Sequence, residues 1–167
     1  MAPIVLGRRD GVPTFLHESN AIPGRANRLL APIVNEIFIG LETARNQFLN
    51  THATVTGTPV RSEFIGLDKA NCRTRLGLDV RRSVLLIMGG SQGARGINDL
   101  LLAALPSLKR ARPDLQLFHL AGEGETERVR RVYERAGMDA TIHEFLADMP
   151  TALGAADIAV SRAGASS

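Results

Sequence analysis

LLIMGGSQGARGIND, residues Leu85–Asp99, joins an unbroken apolar run to three glycines and then to a helical pattern. Apolar residues without polar alternation mark a strand buried on both faces. A helix starting directly after such a strand is one unit of a parallel α/β sheet. The loop between them is neither common phosphate loop. The dinucleotide fingerprint needs G-x-G-x-x-G, and the P-loop needs G-x-x-x-x-G-K followed by Ser or Thr. Gly89, Gly90 and Gly93 are spaced for neither, and no lysine follows. Three glycines still let a backbone approach a ligand closely. The following helix offers unpaired N–H groups and a partial positive charge, which favour an oxyanion. Ser91 adds a hydroxyl and Arg95 a fork for oxygen ligands. A tight turn beside a solvated arginine would need fewer glycines than this.

Outward from that stretch, β-type and helix-type runs alternate. VPTFLH (12–17), EIFIG (36–40), ATVTG (53–57), SVLLIMGG (83–90), LQLFHLAG (115–122), TIHEF (141–145) and DIAVSRAG (157–164) read as strands. Helical patterns lie at 24–34, 42–49, 68–77, 94–112, 126–137 and 148–156, the third ended by Gly77. In the longest, Ile97, Leu101, Leu105 and Leu108 share one face. The fold class is therefore α/β, with parallel sheets covered by helices. Ligands in such sheets sit beyond the carboxyl ends of the strands. Those ends carry HESN and GTPVR before residue 62, and GGSQGAR, AGEGE, EFLADM and SRAGASS after residue 82. Two half-sites on two sheets follow, with domains expected at 1–57 and 68–167 and a linker at 58–67.

Composition narrows the classes. Of 167 residues 44% are hydrophobic but only 4% aromatic, so the core must be aliphatic. The single cysteine, Cys72, excludes an internal disulfide and a Cys-rich metal site. No apolar run reaches the roughly 18 residues of a membrane span, and MAPIVLGRRDG lacks signal-peptide order. The net charge of +3, with a pI of 9.7, suits a phosphate-bearing ligand or an anionic membrane surface, and equally a chain with neither.

His17, Glu18, Ser19 and Asn20 are four polar residues directly after an apolar strand. They could rim a ligand, with His17 or Glu18 as acid or base, or simply cap the next helix around a buried histidine. Arg61 follows a turn at the domain junction, where it could reach a diphosphate or be solvated. AGEGETE imitates a dinucleotide loop, but Glu127 takes the third glycine's place and three glutamates would repel a pyrophosphate. His119 and His143 lie in apolar strands and read as packed histidines, and Cys72 reads as inert. No metal motif and no nucleophile elbow is present in the sequence.

The segments HESNAIPGRANRLLA, GTPVR, GGSQGARGIN, EFLADM and SRAGASS, in this order and spacing, resemble the MurG family, and the resemblance runs along essentially the whole chain. Those are peripheral membrane glycosyltransferases of GT-B fold, with two Rossmann-like domains. The resemblance implies transfer of N-acetylglucosamine from UDP-GlcNAc to lipid I, an undecaprenyl-diphosphate-linked muramyl pentapeptide, giving lipid II with inversion at the anomeric carbon. It implies that Asn20, Arg61 and Ser91 contact the nucleotide sugar and that Leu146 lies against the uracil. Ala165, Ser166 and Ser167 would belong to the nucleotide loop, with Gly89, Gly90, Gly93 and Asn98 lining the cleft. Glu18 stands as a candidate catalytic group, although the family's candidate base would lie upstream of Met1. No metal or cofactor and no nucleic acid is implied; an anionic surface on the cytoplasmic face of the inner membrane is.

Family members run to about twice this length, and MAPIVLGRR resembles the interior of a family helix. The chain is therefore expected to carry the second half of the acceptor-side domain and the first half of the UDP-sugar domain, and to be inactive alone. Two alternatives stand beside this reading. One is a non-catalytic nucleotide-sugar-binding module, or a subunit completed by a second chain. The other is an unrelated Rossmann-type cofactor domain.

Overall fold

The computed structural model describes residues 2–48, 53–89 and 95–162. They divide into two compact units, one running to Val60 and the other starting at Arg61. The first unit holds α1 (Ala2–Arg9), β1 (Phe15–Glu18), α2 (Arg25–Leu30), β2 (Glu36–Ile39) and β3 (Ala53–Val55). Its three strands pair in parallel in the order β1-β2-β3, with Phe15 opposite Glu36 and Ile37 opposite Ala53. Ile37 and Ile39 alternate into a core closed by Ala31, Ala44, Phe48 and Ala53. The helix expected over 24–34 stops at Leu30 and tightens to a 3-10 turn at Ala31–Ile33. Pro32 has no N–H to continue the helical ladder. The helix expected over 42–49 is also a 3-10 segment, Glu42–Gln47.

The second unit holds α3 (Lys69–Arg75), β4 (Val84–Met88), α4 (Arg95–Ala111), β5 (Gln116–Leu120), α5 (Thr126–Ala136), β6 (Asp139–His143), α6 (Met149–Ala155) and β7 (Ile158–Ser161). The sheet is parallel, in the order β6-β5-β4-β7. The lack of alternation in β4 is explained by burial on both faces. Leu85 and Ile87 pack with Leu101 and Leu105 of α4 and with Val129 and Tyr133 of α5. Val84 and Leu86 pack with Cys72 of α3 and with Ala152 and Ala155 of α6. Side-chain caps start two helices: Asp68 accepts from the Asn71 N–H at 2.7 Å, and Asp148 from the Thr151 N–H at 3.2 Å. Gly154 permits the close approach of α3 and α6, because a Cβ there would lie 2.7 Å from Cys72 Sγ.

The strand order marks where a candidate site lies. From β4 the chain winds outward to β5 and β6, then crosses back to lay β7 on the other side of β4. Such a reversal opens a crevice at the carboxyl ends of the two diverging strands. Met88, which ends β4, is the register partner of Ser161, which ends β7.

That register is tied down at the opposite end of the strands. Arg73 of α3, largely buried, donates to the Ala155 carbonyl at 3.0 Å, to the Val80 carbonyl at 2.9 Å and to Asp157 Oδ2 at 2.5 Å. Asp157 also accepts from the Val84 N–H at 2.8 Å and from Lys69 Nζ at 2.7 Å. The Lys69 bond, then the Val84 N–H and the Arg73 charge, hold its carboxyl below the ordinary range against partial burial. Removing one member of a largely buried pair strands the other, so Arg73→Leu is expected to cost about 3 kcal/mol in urea unfolding. Lys69→Ala, at the half-exposed edge, is expected to cost under about 1 kcal/mol. Equal losses in the two variants would overturn this ranking.

Candidate functional site

In the first unit the polar residues at the end of β1 and just past it meet the loop after β3. His17 Nε2–H donates to the Gly57 carbonyl at 3.0 Å, and Ser19 Oγ lies 3.4 Å from His17 Nδ1. Gly40, just past β2, is where these loops touch: a Cβ there would sit 2.9 Å from Thr58 Oγ1 and 3.3 Å from Ser19 Cα. The polar rim expected at the strand ends thus forms one surface within this unit.

Glu18 is 3% exposed and is saturated with donors. Its Oε1 accepts from the Asn20 N–H at 2.8 Å and from Asn20 Nδ2 at 2.7 Å. Its Oε2 accepts from the Gly24 N–H at 2.9 Å and from Asn27 Nδ2 at 3.0 Å. Burial alone would raise its pKa, but these bonds outweigh burial and lower it. An ionised carboxylate has about four acceptor positions, and all are filled. Such a group organises the loop from 18 to 27 and has no lone pair left for a proton in transit. Asn20 lies exposed, with its amide held by Glu18.

At the start of the second unit Arg61 is exposed, with Nε 3.6 Å from Glu63 and its guanidinium 5.1 Å from the Phe64 ring centroid. Gly89 follows β4 and is buried. Gly90, Ser91 and Gly93 lie outside the described residues, as do Ala165, Ser166 and Ser167. Leu146 is half-buried against the cluster of Cys72, Leu78 and Phe118. Asn98 is buried in the first turn of α4, where Nδ2 donates to the Ala121 carbonyl at 2.9 Å and Oδ1 lies 3.0 Å from His119 Nε2. Arg95 donates to Glu125 Oε1 through Nε and Nη2. Arg128 first, then Arg95, hold the Glu125 carboxyl low, so one of the three loop glutamates stays ionised and is paired with arginines. His143 packs against Phe118, with ring centroids 5.1 Å apart.

Sequence reasoning missed the partners of Asn98. A polar residue on the same stripe as Leu101 and Leu105, facing a strand that contains a histidine, was the available signal. A groove of about 460 Å³ runs between α4 and β7, lined by Leu100, Leu101, Ala104, Leu108, Ile158 and Val160. Its walls are mostly aliphatic, with Ser83, Arg112 and Asp157 where it meets the amino ends of β4 and β7, and it lies along α4 rather than at the carboxyl ends of the strands. Among the described residues no cluster of three His, Cys, Asp or Glu could hold a metal ion, and no helix is long and apolar enough to cross a membrane.

Residues 84–167 match the glycosyltransferase family 28 C-terminal domain. The UDP-N-acetylglucosamine–N-acetylmuramyl-(pentapeptide) pyrophosphoryl-undecaprenol N-acetylglucosamine transferase of Pelobacter propionicus is 39% identical over 183 residues, covering 98% of this chain and 48% of that protein. The transferase of the same name from Geobacter sulfurreducens is 41% identical over 166 residues, covering 98% and 45%. The chain thus spans about half the length of the curated relatives it matches. Among solved structures, Acinetobacter baumannii MurG superposes with a TM-score of 0.73 at 26% identity, over 97% of this chain and 43% of that one. Anabaena Alr3699/HepE, solved with UDP and glucose, shares the fold with a TM-score of 0.55 at 14% identity, over 94% and 48%.

The loop held by Glu18 can be tested directly. Glu18→Ala leaves four donors without their acceptor, with an expected loss of about 2 kcal/mol in urea unfolding at pH 7. A carboxyl with a lowered folded pKa contributes stability above its unfolded value, 4.5, and loses it as pH falls through the lower folded value. The gap between the unaltered chain and Glu18→Gln should therefore narrow in acid. A gap that widens there would exclude this role.

Proposed function

Because the chain belongs to glycosyltransferase family 28, we propose that it carries the donor site of a transferase that moves N-acetylglucosamine from UDP-GlcNAc to lipid I, forming lipid II. Its α/β fold with parallel sheets is of the GT-B type. The observation that carries the proposal is the pairing of Met88 with Ser161 at the reversal of strand order. In the sequence these two strand ends are followed by GGSQGA and RAGASS, and the carboxyl ends of strands are where an α/β sheet takes its ligands. The relatives named above supply the substrates of the reading, donor and lipid-linked acceptor alike.

The chemistry follows from charge. As the acceptor hydroxyl attacks the anomeric carbon, the bond to UDP breaks and negative charge grows on the diphosphate. Direct displacement inverts the anomeric centre. The N–H groups in the first turn of α4 and the partial positive charge of a 17-residue helix favour that charge. Donors fixed in advance stabilise it without reorganising. In this reading Ser91 adds a hydroxyl, Arg61 a mobile cation, and Ala165, Ser166 and Ser167 a second set of N–H groups. Leu146 supplies an apolar edge for the base, and Asn20 reaches the sugar. Glu18 shapes the loop that presents Asn20. A lipid-linked acceptor brings the protein to the cytoplasmic face of the inner membrane, where a net charge of +3 favours an anionic surface.

Calorimetric titration with UDP and UDP-GlcNAc tests the reading. Saturable binding is expected, weakened about tenfold by Arg61→Ala and by Ser91→Ala, each of which removes a bond to a charged group. Absence of binding in the unaltered chain would sink the proposal. Transfer of labelled N-acetylglucosamine to a lipid I analogue tests the acceptor.

A further inference from the structure

Three polar side chains lie inside the aliphatic layer between the sheet and α4 and α5. His119 is 0% exposed, and Asn98 and Tyr133 are each 1% exposed. Their hydrogen bonds assign the Asn98 amide orientation, the His119 tautomer and the Tyr133 hydroxyl proton. The Ala121 carbonyl can only accept, so the Asn98 atom 2.9 Å from it is Nδ2, and Oδ1 faces His119. Oδ1 can only accept, so His119 Nε2 carries the hydrogen across 3.0 Å. Nδ1 is then bare and receives the Tyr133 hydroxyl at 2.7 Å. Burial keeps the imidazole neutral, with its pKa pushed down to about 4, and raises that of the phenol.

We propose that His119 is a positioning residue that holds the first turn of α4, through Asn98, against the carboxyl end of β5. Asn98 is the fourth residue of α4, and the glycine-rich segment directly precedes that helix in the sequence. His119 pairs with Ile87, one residue before the end of β4. An aliphatic residue at 98 would suit the surrounding layer of Leu101, Leu105 and Val129. A directional network instead admits one orientation of the helix start. The Arg95–Glu125 pair ties the same turn on its exposed side. The consequence for ligand binding rests on the reading that α4 and the glycine-rich segment receive the donor's phosphates.

Two substitutions separate positioning from packing. His119→Phe keeps a ring but neither donor nor acceptor. His119→Gln can turn Nε2–H toward Asn98 and Oε1 toward Tyr133. A packing role ranks Phe above Gln, and a positioning role ranks Gln above Phe. Hydrogen exchange over residues 95–101, read against α3 and α6, is expected to quicken about tenfold in His119→Phe and to stay within about threefold in His119→Gln. A titration with UDP should show the same ranking. Equal damage in both variants, unchanged exchange in both, or a rise shared equally by α3 and α6 would overturn the proposal. Should His119→Phe not fold, Tyr133→Phe is read instead: a rise confined to residues 95–101 supports the role, and none refutes it. Failure of the unaltered chain to bind UDP removes the donor-site reading, while the exchange ranking still decides the part played by His119.

Discussion

The Asp157 carboxylate is shared by Arg73 and Lys69 of α3 and by the backbone N–H of Val84, where β4 begins. Through Arg73 it is also joined to the last turn of α6 at Ala155. Two helices and the starts of two strands are thus fixed at one point. A parallel ladder has to be aligned somewhere, because a slip of one residue turns every side chain to the wrong face. Here the alignment is set at the amino ends of β4 and β7 and is felt at their carboxyl ends, where Met88 meets Ser161. The carboxyl-end edge of the second unit, where the donor site is proposed, inherits its geometry from a charge cluster at the other edge of the sheet.

The order of strands and helices was legible because each element carries its own pattern. The apolar run of β4 and the stripe of α4 follow from burial that does not depend on which partner provides it. Boundaries were less legible where local chemistry competes. Pro32 tightened the end of α2, and the start of β6 moved back to Asp139 behind the left-handed cap at Gly137. What could not be read were bonds between distant residues. Arg73 and Asp157 lie 84 positions apart, and nothing near either one announces the other.

The candidate site divides along the same line. The polar cluster at the end of β1 stands out, since four polar residues interrupt an apolar pattern. The four donors around Glu18 do not, because two of them are backbone N–H groups placed by the turn itself. Residue type suggested an acid or base, whereas its surroundings make it an anchor. His119 shows the converse. Its burial was expected from the strand around it, but its partners come from α4 and α5 and required the folded chain.

Tyr133 has a consequence beyond packing. It is the only tyrosine in the chain, and there is no tryptophan. The intrinsic near-ultraviolet absorption and emission of the molecule therefore come, phenylalanine aside, from one phenol bonded to one buried imidazole. Loosening of α4 or α5 changes the surroundings of that single chromophore. The protein carries its own optical probe of the helix start, with no label and no background from other rings of its kind.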